Sequence, residues 1–232
     1  MSTPVPLRSA SPTTFQLELA ATAQHLASAL PPAAARTIDD GITQTIAANT
    51  ARHALGASQP APNFTLPDAT GQPQTLAILL ARGPVVLVFY RGNWCPYCHV
   101  QLRAYQQALP ELARYNATLV AVSPQTPDYT SLTASDKALT FPVLSDADNV
   151  VARQYGLAYG VGPAVADTLR GVGIDLAAFN GTAANELPLT ATFVIGTDGV
   201  IAWAEVEANF KQRPDPEALV AALAQLSMAL PA

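Results

Sequence analysis

The sequence predicts an α/β protein with a mainly parallel central sheet flanked by helices. Apolar, β-branched segments such as "PVVLVFY" and "ATLVAVS" are typical of strands that are buried on both faces of a parallel sheet. These segments alternate with helical patterns, as in chains whose strands are connected by helices. Half of the 232 residues are hydrophobic, which is enough to build a sizeable buried core.

Charge and hydropathy exclude several classes of partner. The net charge is −5 and the 12 Lys and Arg residues form no run, so neither nucleic acid nor anionic lipid is expected as the main partner. The longest apolar run is much shorter than the ~20 residues that span a bilayer, so no membrane segment is expected. The start of the chain lacks the pattern of a signal peptide, and we expect a cytoplasmic protein.

Residues 1–57 are interpreted as an N-terminal extension of two helices. The first ten residues are expected to be frayed, and Ser11 and Pro12 to begin the first helix as its cap and first residue. One face of that helix is apolar, at Phe15, Leu19, Ala23, Leu26 and Leu30. The second helix is expected to run through Ile38, Ile42 and Ile46 and to end near Gly56. The apolar face favours packing or a dimer surface over a ligand site.

Residues 58–230 are interpreted as one domain. "NFTLPDATGQPQTL" predicts two short strands around a glycine turn, and "LAILLAR" a short helix. The strand "PVVLVFY", a helix over residues 96–114 and the strand "ATLVAVS" follow. A polar helix is expected over 127–138, then the strand "FPVLSD" and the helix "NVVARQYG", which Gly156 ends.

The second half of the domain contains an unusual segment. Residues 158–187 are rich in glycine and weakly periodic, which favours a long surface insertion with one or two helical turns. Its glycines do not follow the GxGxxG pattern after a strand, so no nucleotide site is expected there. "TATFVIGTDGVIAWAEV" predicts a hairpin, and Asp215-Pro216 the start of a final helix.

The two cysteines of the chain, Cys95 and Cys98, lie where a buried strand meets a helix. A CxxC motif at such a junction indicates redox chemistry. The helix dipole and the free N–H groups of the first turn stabilise a thiolate, which is the reactive form. The spacing also brings the two sulfurs close enough to bridge. Pro96 suits the first helical position because it has no N–H to leave unpaired.

Two other interpretations of the pair are weaker. A structural zinc site needs four ligands, and the others would have to come from His25, His53, His99 or carboxylates, with no second CxxC and no HxxxH motif. A pair of inert core thiols is the other alternative. We therefore expect a dithiol redox centre and no metal.

Several segments together resemble a known family. They are "APNFTLPDATGQPQTL", "VVLVFYRGNWCPYC", "LVAVSPQTPD", "FPVLSDADNVVARQYGL" and "TATFVIGTDGVI". From about residue 60 to 227 the chain is similar to the peroxiredoxin-like branch of the AhpC/TSA family, that is, alkyl hydroperoxide reductase and thiol-specific antioxidant. The resemblance implies a thioredoxin-like fold, a hydroperoxide substrate, a thioredoxin-type protein reductant and no cofactor.

The resemblance assigns the two cysteines in two ways. If the motif is compared with that of thioredoxins, Cys95 is the exposed nucleophile and Cys98 is the resolving thiol. Beside peroxiredoxins, Cys98 is the peroxidatic cysteine and Cys95 stands in the place of a Thr. Arg91 then replaces the peroxiredoxin Pro, and Thr190 stands in the place of the peroxiredoxin Arg and of the thioredoxin cis-Pro. The Pro, Thr and Arg that surround the cysteine of a peroxiredoxin are therefore absent in their usual form.

Three further residues have both a functional and an ordinary interpretation. Arg91 would either stabilise a thiolate or form an ion pair on the helix side, and the ion pair is favoured. Trp94 would either cover the active thiol or be a partly buried surface aromatic. His99 would either shuttle protons or be solvated, and solvation is favoured.

We expect a thiol peroxidase in which Cys98 attacks a hydroperoxide and becomes a sulfenic acid. Cys95 then condenses with it to a Cys95–Cys98 disulfide, which a thioredoxin-type protein reduces. The alternatives are an oxidoreductase of protein disulfides with Cys95 as nucleophile, and a redox sensor or scaffold. A homodimer is a further possibility.

Overall fold

The structure is a computed structural model that describes residues 11–229. The helices are α1 (Thr14–Ala29), α2 (Pro32–Ala47), α3 (Leu76–Leu80), α4 (Pro96–Ala113), α5 (Pro127–Asp136), α6 (Val150–Gln154), α7 (Pro163–Gly171), α8 (Leu176–Asn180) and α9 (Pro216–Ala229). The strands are β1 (Thr65–Pro67), β2 (Pro73–Thr75), β3 (Val85–Phe89), β4 (Thr118–Ser123), β5 (Val143–Ser145), β6 (Ala158–Gly160), β7 (Glu186–Pro188), β8 (Thr190–Ile195) and β9 (Ile201–Glu207). None of these helices is long and apolar enough to cross a bilayer. Residues 1–10, which we expect to be frayed, lie outside the described part.

The central sheet has five strands in the order β5-β4-β3-β8-β9. β3, β4 and β5 are parallel to one another, whereas β8 is antiparallel to both of its neighbours. The α/β class is confirmed, but the sheet is mixed rather than mainly parallel. The reason is the β8–β9 hairpin, because strands joined by a short turn must pair antiparallel and this hairpin fills the other side of β3.

β3 is the centre of the core. All five of its side chains are completely buried, since each face of the sheet is covered. Val86 and Val88 face a cluster that includes residues of α1, α4 and α9. Leu87 and Phe89 face a second cluster, in which the ring of Phe89 packs against Tyr155. Burial of such side chains stabilises a fold by about 1.5–3 kcal/mol each, so the chain that leaves the end of β3 starts from a rigid base.

The first helix begins two residues later than the sequence predicts. Thr13, and not Ser11, is the cap, and α1 starts at Thr14 instead of Pro12. The Thr13 hydroxyl accepts a hydrogen bond from the Gln16 backbone N–H at 3.2 Å, and the Gln16 side chain accepts one from the Thr13 N–H. This reciprocal capping satisfies two N–H groups, which Ser11 with a following proline does not achieve.

The second helix is shorter than predicted. α2 ends at Ala47 and not near Gly56, because Asn49 adopts a left-handed conformation (φ 49°) and a short 3-10 turn, Thr50–His53, follows. Halfway along α2, Gly41 lies against Val165 of α7. A Cβ atom on Gly41 would be 2.6 Å from Val165 Cγ2, so glycine permits this close approach. The division of the chain into residues 1–57 and 58–230 stays a prediction.

Residues 158–187 are more ordered than the predicted surface insertion of one or two helical turns. They contain the helices α7 and α8, and β6 and β7 pair antiparallel at the base of the segment. The segment has a small core of its own, made of Val161, Ala166, Leu169, Leu176 and Leu187. Pro163 occupies the first turn of α7, as is favourable at helix starts. The surrounding glycines dilute the periodicity, which is why the sequence does not reveal these elements.

Candidate active site

The loop between β3 and α4 is held in one conformation. Gly92 has φ +152°, and a Cβ atom there would be 2.5 Å from the Trp94 indole nitrogen, so only glycine fits. The Asn93 backbone N–H donates to the buried Gln125 side chain at 2.5 Å. Gln125 in turn donates to the Tyr90 hydroxyl at 3.2 Å. The loop therefore delivers the chain to Cys95 in a defined position.

The CxxC motif occupies the start of α4, as the sequence predicts. Cys95 is the cap residue and Pro96 the first residue of the helix. The backbone N–H groups of Cys98 and His99 donate to the Cys95 carbonyl at 3.0 and 3.2 Å. Both cysteines are free thiols, and their exposed fractions are 1% for Cys95 and 0% for Cys98. The pair is thus a buried dithiol within one helical turn.

Three donors surround the sulfur of Cys98. Burial by itself raises the pKa of this thiol, but the hydrogen bond from the Cys95 thiol, the Arg213 guanidinium and the Arg91 backbone N–H lower it. The Arg213 Nη2 atom lies 3.6 Å from Cys98 Sγ. The net effect is a Cys98 pKa well below the usual range, so Cys98 is the thiolate of the pair.

The pKa of Cys95 shifts in the opposite direction. Burial raises it, and the hydrogen bond and the charge of Cys98 raise it further, while Arg91 and Arg213 lower it. Cys95 is therefore the protonated partner that donates to Cys98. The surrounding groups thus favour a thiolate on Cys98 and a protonated thiol on Cys95.

Arg213 is the site residue that our sequence interpretation does not include. It lies in the loop between β9 and α9 and is 7% exposed. Its Nε atom donates to Gln101 Oε1 at 2.9 Å, and Nη1 donates to the carbonyls of Gln212 (2.6 Å) and Phe210. A single arginine in "KQRPDP" matches no motif; only the packing of this loop against α4 could indicate its role.

Arg91 does not form the ion pair that the sequence favours. Its guanidinium carbon lies over two aromatic rings, 4.7 Å from the centroid of Trp94 and 3.8 Å from that of Phe210. Within residues 11–229 its side chain donates no hydrogen bond and contacts no carboxylate, and its Nε atom is buried without a partner. Its charge acts on the two thiols from a distance.

Trp94, His99 and Thr190 lie in different surroundings. Trp94 is half-buried and packs beside Cys95, as a covering residue would. His99 is also half-buried rather than solvated: its ring nitrogen is hydrogen-bonded to the Asn93 carbonyl, and burial lowers its pKa. The Thr190 hydroxyl donates to the Glu207 carbonyl at 3.3 Å, and among the described residues it bonds to neither thiol.

An apolar cavity of about 160 Å³ lies beside Cys95 and not beside Cys98. Its walls include Leu26, Leu30, Ile38, Leu169, Val172 and Ile174, together with Arg91 and Trp94. We call α1, α2 and residues 158–187 the roof of the site, and the end of β3, the first turn of α4 and Arg213 its floor. In the apolar stripe of α1, Phe15 and Leu19 are buried in the core, as expected of a packing face, and Ala23 and Leu26 pack against the core. Ala23, Leu26 and Leu30 also line the cavity.

A second cavity of about 330 Å³ lies on the other side of Arg91. It shares Ile38, Arg91, Val165 and Phe210 with the apolar cavity, so Arg91 stands at the junction of the two. His25 and His53 are exposed. Across residues 11–229, three or more His, Cys, Asp or Glu side chains do not come together in a way that could hold a metal ion.

Comparison with known proteins gives a consistent result. The AhpC/TSA family matches residues 57–204. Peroxiredoxin Bcp of Escherichia coli is 34% identical over 104 residues, which are 44% of this chain and 65% of that protein. A Mycobacterium tuberculosis protein with a peroxiredoxin name is 35% identical over 99 residues, 43% of this chain and 64% of its own length. The chain thus spans less than two thirds of the length of these relatives.

Solved structures show the same fold. The crystal structure of peroxidoxin BcpB from Mycobacterium tuberculosis superimposes with a TM-score of 0.59 and 26% identity, over 76% of this chain and 99% of that one. The bacterioferritin comigratory protein of Xanthomonas campestris gives a TM-score of 0.55 at 18% identity, over 70% and 90% of the two chains, and shows likeness of fold alone. The thioredoxin-like fold is thereby confirmed.

Proposed function

The chain belongs to the AhpC/TSA family, and from that premise we propose that it is a thiol-dependent peroxidase that reduces hydroperoxides through Cys98 and Cys95. The observation that carries the proposal is the hydrogen bond from the Arg213 guanidinium to Cys98 Sγ at 3.6 Å, and the Cys95 thiol and the Arg91 backbone also lower the pKa of Cys98. Together they stabilise a thiolate, which is the form that attacks peroxide.

The first step oxidises Cys98. Its thiolate attacks the terminal oxygen of the hydroperoxide, the S–O bond forms and the O–O bond breaks, which leaves a sulfenic acid and an alcohol once the alkoxide has taken up a proton. Arg213 is positioned to stabilise the charge that moves from sulfur to oxygen. Thr190 stands in the place of the peroxiredoxin Arg. Arg213 supplies the corresponding cation from another part of the chain.

The second step forms the disulfide. The Cys95 sulfur attacks the sulfur of the sulfenic acid, the S–S bond forms, and water leaves. The charge of the Cys98 thiolate is one of the causes that raise the pKa of Cys95. That charge disappears when Cys98 becomes a neutral sulfenic acid, whereas Arg91 and Arg213 remain. Cys95 therefore becomes more acidic at the stage at which it must act as a nucleophile.

Access to the dithiol requires movement. Cys98 has no exposed surface, and the cavity ends at Cys95. A peroxide in the cavity reaches Cys98 only when the Cys95 side chain turns aside. A thioredoxin-type protein is too large for the cavity, so we propose that reduction of the disulfide follows opening of the roof or of the first turn of α4.

The second candidate function is thiol–disulfide exchange with other proteins, with Cys95 as nucleophile. It is favoured by the position of Cys95, which is the thiol that lines the cavity. The raised pKa of Cys95 and its burial beneath the roof oppose it, because a protein disulfide must contact an exposed thiolate. A redox sensor with slow turnover remains a third class.

Sulfenate trapping in three proteins tests the proposal. Reduced wild type, Cys95→Ser and Cys98→Ser are mixed with hydrogen peroxide, and thiol loss and trapped sulfenic acid are followed with time. We expect rapid sulfenate in Cys95→Ser and only slow oxidation of Cys98→Ser. Rapid sulfenate on Cys95 in the Cys98→Ser protein would reverse the assignment. Inertness to peroxide combined with reduction of insulin disulfides would establish the second candidate instead.

The proposal also covers the cellular location, the assembly and the supporting residues of the protein. We propose a cytoplasmic location, because thioredoxin-type reductants keep dithiols reduced there, and a homodimer as a possible assembly. Trp94 is proposed to shield the dithiol from water, and Thr190 to hold the end of β8 beside the loop that carries Arg91. The division at residue 57 separates the roof helices α1 and α2 from the catalytic domain.

A further inference from the structure

Arg91 is a buried cation that forms no salt bridge with any carboxylate within residues 11–229. The residue is 4% exposed, and its Nε atom is fully buried without a hydrogen-bond partner. A guanidinium carries five N–H donors, and within residues 11–229 the side chain of Arg91 uses none of them on a protein acceptor. Buried donors that stay unpaired are rare in native proteins and call for an explanation.

Aromatic contacts hold Arg91 where the two cavities meet. Its Cζ atom lies 4.7 Å from the centroid of the Trp94 ring and 3.8 Å from that of the Phe210 ring. Arg91 lines both cavities at this position. Planar, preorganised N–H groups are suited to a carboxylate, which they bind in bidentate fashion.

The other charges near the apolar cavity are already paired. Asp39 and Lys211, which lie at its edge, form an ion pair at 2.5 Å. Arg213 directs its donors to Gln101, to two carbonyls and to Cys98. The Cys98 thiolate takes a hydrogen bond from the backbone of Arg91 and not from its guanidinium. Among the described residues, Arg91 is thus the charge at the cavity that pairs with no carboxylate, and it acts on the thiols only from a distance.

The shape of the cavity restricts what the anion is attached to. Its volume is about 160 Å³, and its walls are mostly apolar side chains, with Asp39, Arg91 and Lys211 as the charged residues. Apolar cavities of about 150 Å³ with such walls stay dry and hold a molecule of the size of benzene. The cavity therefore suits one phenyl ring or a short hydrocarbon chain.

We propose that Arg91 and the apolar cavity form a binding site for a small monocarboxylate whose other end is a phenyl ring or a short alkyl chain. The carboxylate pairs with the guanidinium of Arg91, and the hydrocarbon lies among Leu26, Leu169 and Ile174. The site requires no peroxide chemistry and so goes beyond the proposed function. A bound acid lies against Cys95 and covers the thiol that the cavity exposes.

Isothermal titration of the reduced, full-length protein tests the site. The probes are phenylacetate and its neutral analogue phenylacetamide, which have the same shape and differ in charge. We expect wild type to bind phenylacetate at least about tenfold more tightly, as is typical of a hydrogen bond to a charged group. In Arg91→Met this preference disappears while binding of phenylacetamide is kept, which also shows that the cavity is still folded.

Two variants of α2 distinguish the effect of filling the cavity from a general effect of substitution in the helix. Ala35 lines the cavity, whereas Ala33 is exposed on the same helix and does not. Ala35→Leu fills the cavity and is expected to weaken binding of both probes at least about fivefold, and Ala33→Leu to leave both unchanged. Bound phenylacetate should also slow alkylation of Cys95 in a Cys98→Ser protein, at concentrations where phenylacetamide does not.

The proposal is overturned if wild type binds both probes equally or binds neither, or if Arg91→Met keeps the preference for the acid. These measurements contain no peroxide. A failure of the proposed peroxidase function would therefore leave the titrations unaffected, and a failure of the titrations would leave the sulfenate experiment unaffected.

Discussion

The floor and the roof of the site differ in the interactions that hold them together. The floor is polar and charged within a packed core, since Cys98 receives a hydrogen bond from Arg213, which Gln101 and two carbonyls hold in place. The roof is apolar and made of helices from two distant parts of the chain, which meet at Gly41 and Val165. The floor determines the acidity of the thiols, and the roof determines what reaches them. Variants of the two regions should therefore change different observables.

The largest effect is expected from Cys98→Ser at low pH. The pKa of Cys98 is well below its usual value, and burial, the largest of the causes that raise the pKa of Cys95, persists in the variant, so Cys98→Ser loses the acidic thiol. At pH 6 about a thousandth of a thiol with a pKa of 9 is ionised. We expect alkylation by iodoacetamide at pH 6 to fall about 100-fold or more, and the wild-type rate to level off at a pH well below 9. An equally low rate in Cys95→Ser would show that the acidity belongs to the pair.

The next effect tests the floor through Arg213→Met. Loss of the guanidinium removes the second largest of the causes that lower the pKa of Cys98. The peroxide rate is expected to fall about 10- to 100-fold, in keeping with a hydrogen bond to a charged group. Thiolate absorbance at 240 nm should then titrate at a higher pH than in wild type. Arg213→Lys, which keeps the charge but not the planar fork, should lie between the two.

A smaller effect tests the roof through Leu169→Ala. Leu169 is buried both in the core of residues 158–187 and in the cavity wall. Such truncations lower the free energy of unfolding by about 2–5 kcal/mol. The loss of stability is expected in the roof. We expect a bulky maleimide to react about 3- to 10-fold faster, while the pH of thiolate titration stays unchanged. A change in that pH would show that roof and floor are not separable.

The smallest effect is expected from Asp39→Asn. The ion pair with Lys211 connects α2 of the roof to the loop that leads to Arg213, and both side chains are partly exposed. Such pairs contribute about 0–1 kcal/mol. Reaction with the same maleimide should increase less than about threefold, and less at high salt, because screening already weakens the pair in wild type. The matched control is Asp167→Asn, which removes an exposed pair away from the cavity.

The floor could be predicted from the sequence to a large extent, whereas of the roof only the helices α1 and α2 could be predicted. The strand "PVVLVFY", the CxxC motif and the start of α4 are local patterns, and the structure confirms where they lie. Arg213 is separated from Cys98 by 115 positions, and no local pattern reports such a contact. Residues 158–187 hide their helices among glycines. The start of α1, by contrast, was readable, because Thr13 and Gln16 have the spacing of a capping box.

The contact between Gly41 and Val165 has a consequence for motion. Because α2 and α7 pack closely at Gly41 and Val165, a helix that moves away from the site loses its packing against the other. α2 and α7 should therefore open as one cooperative unit, although they lie far apart along the chain. Their backbone amides are expected to exchange with deuterated solvent at similar rates, both faster than those of β3, whose side chains are all buried.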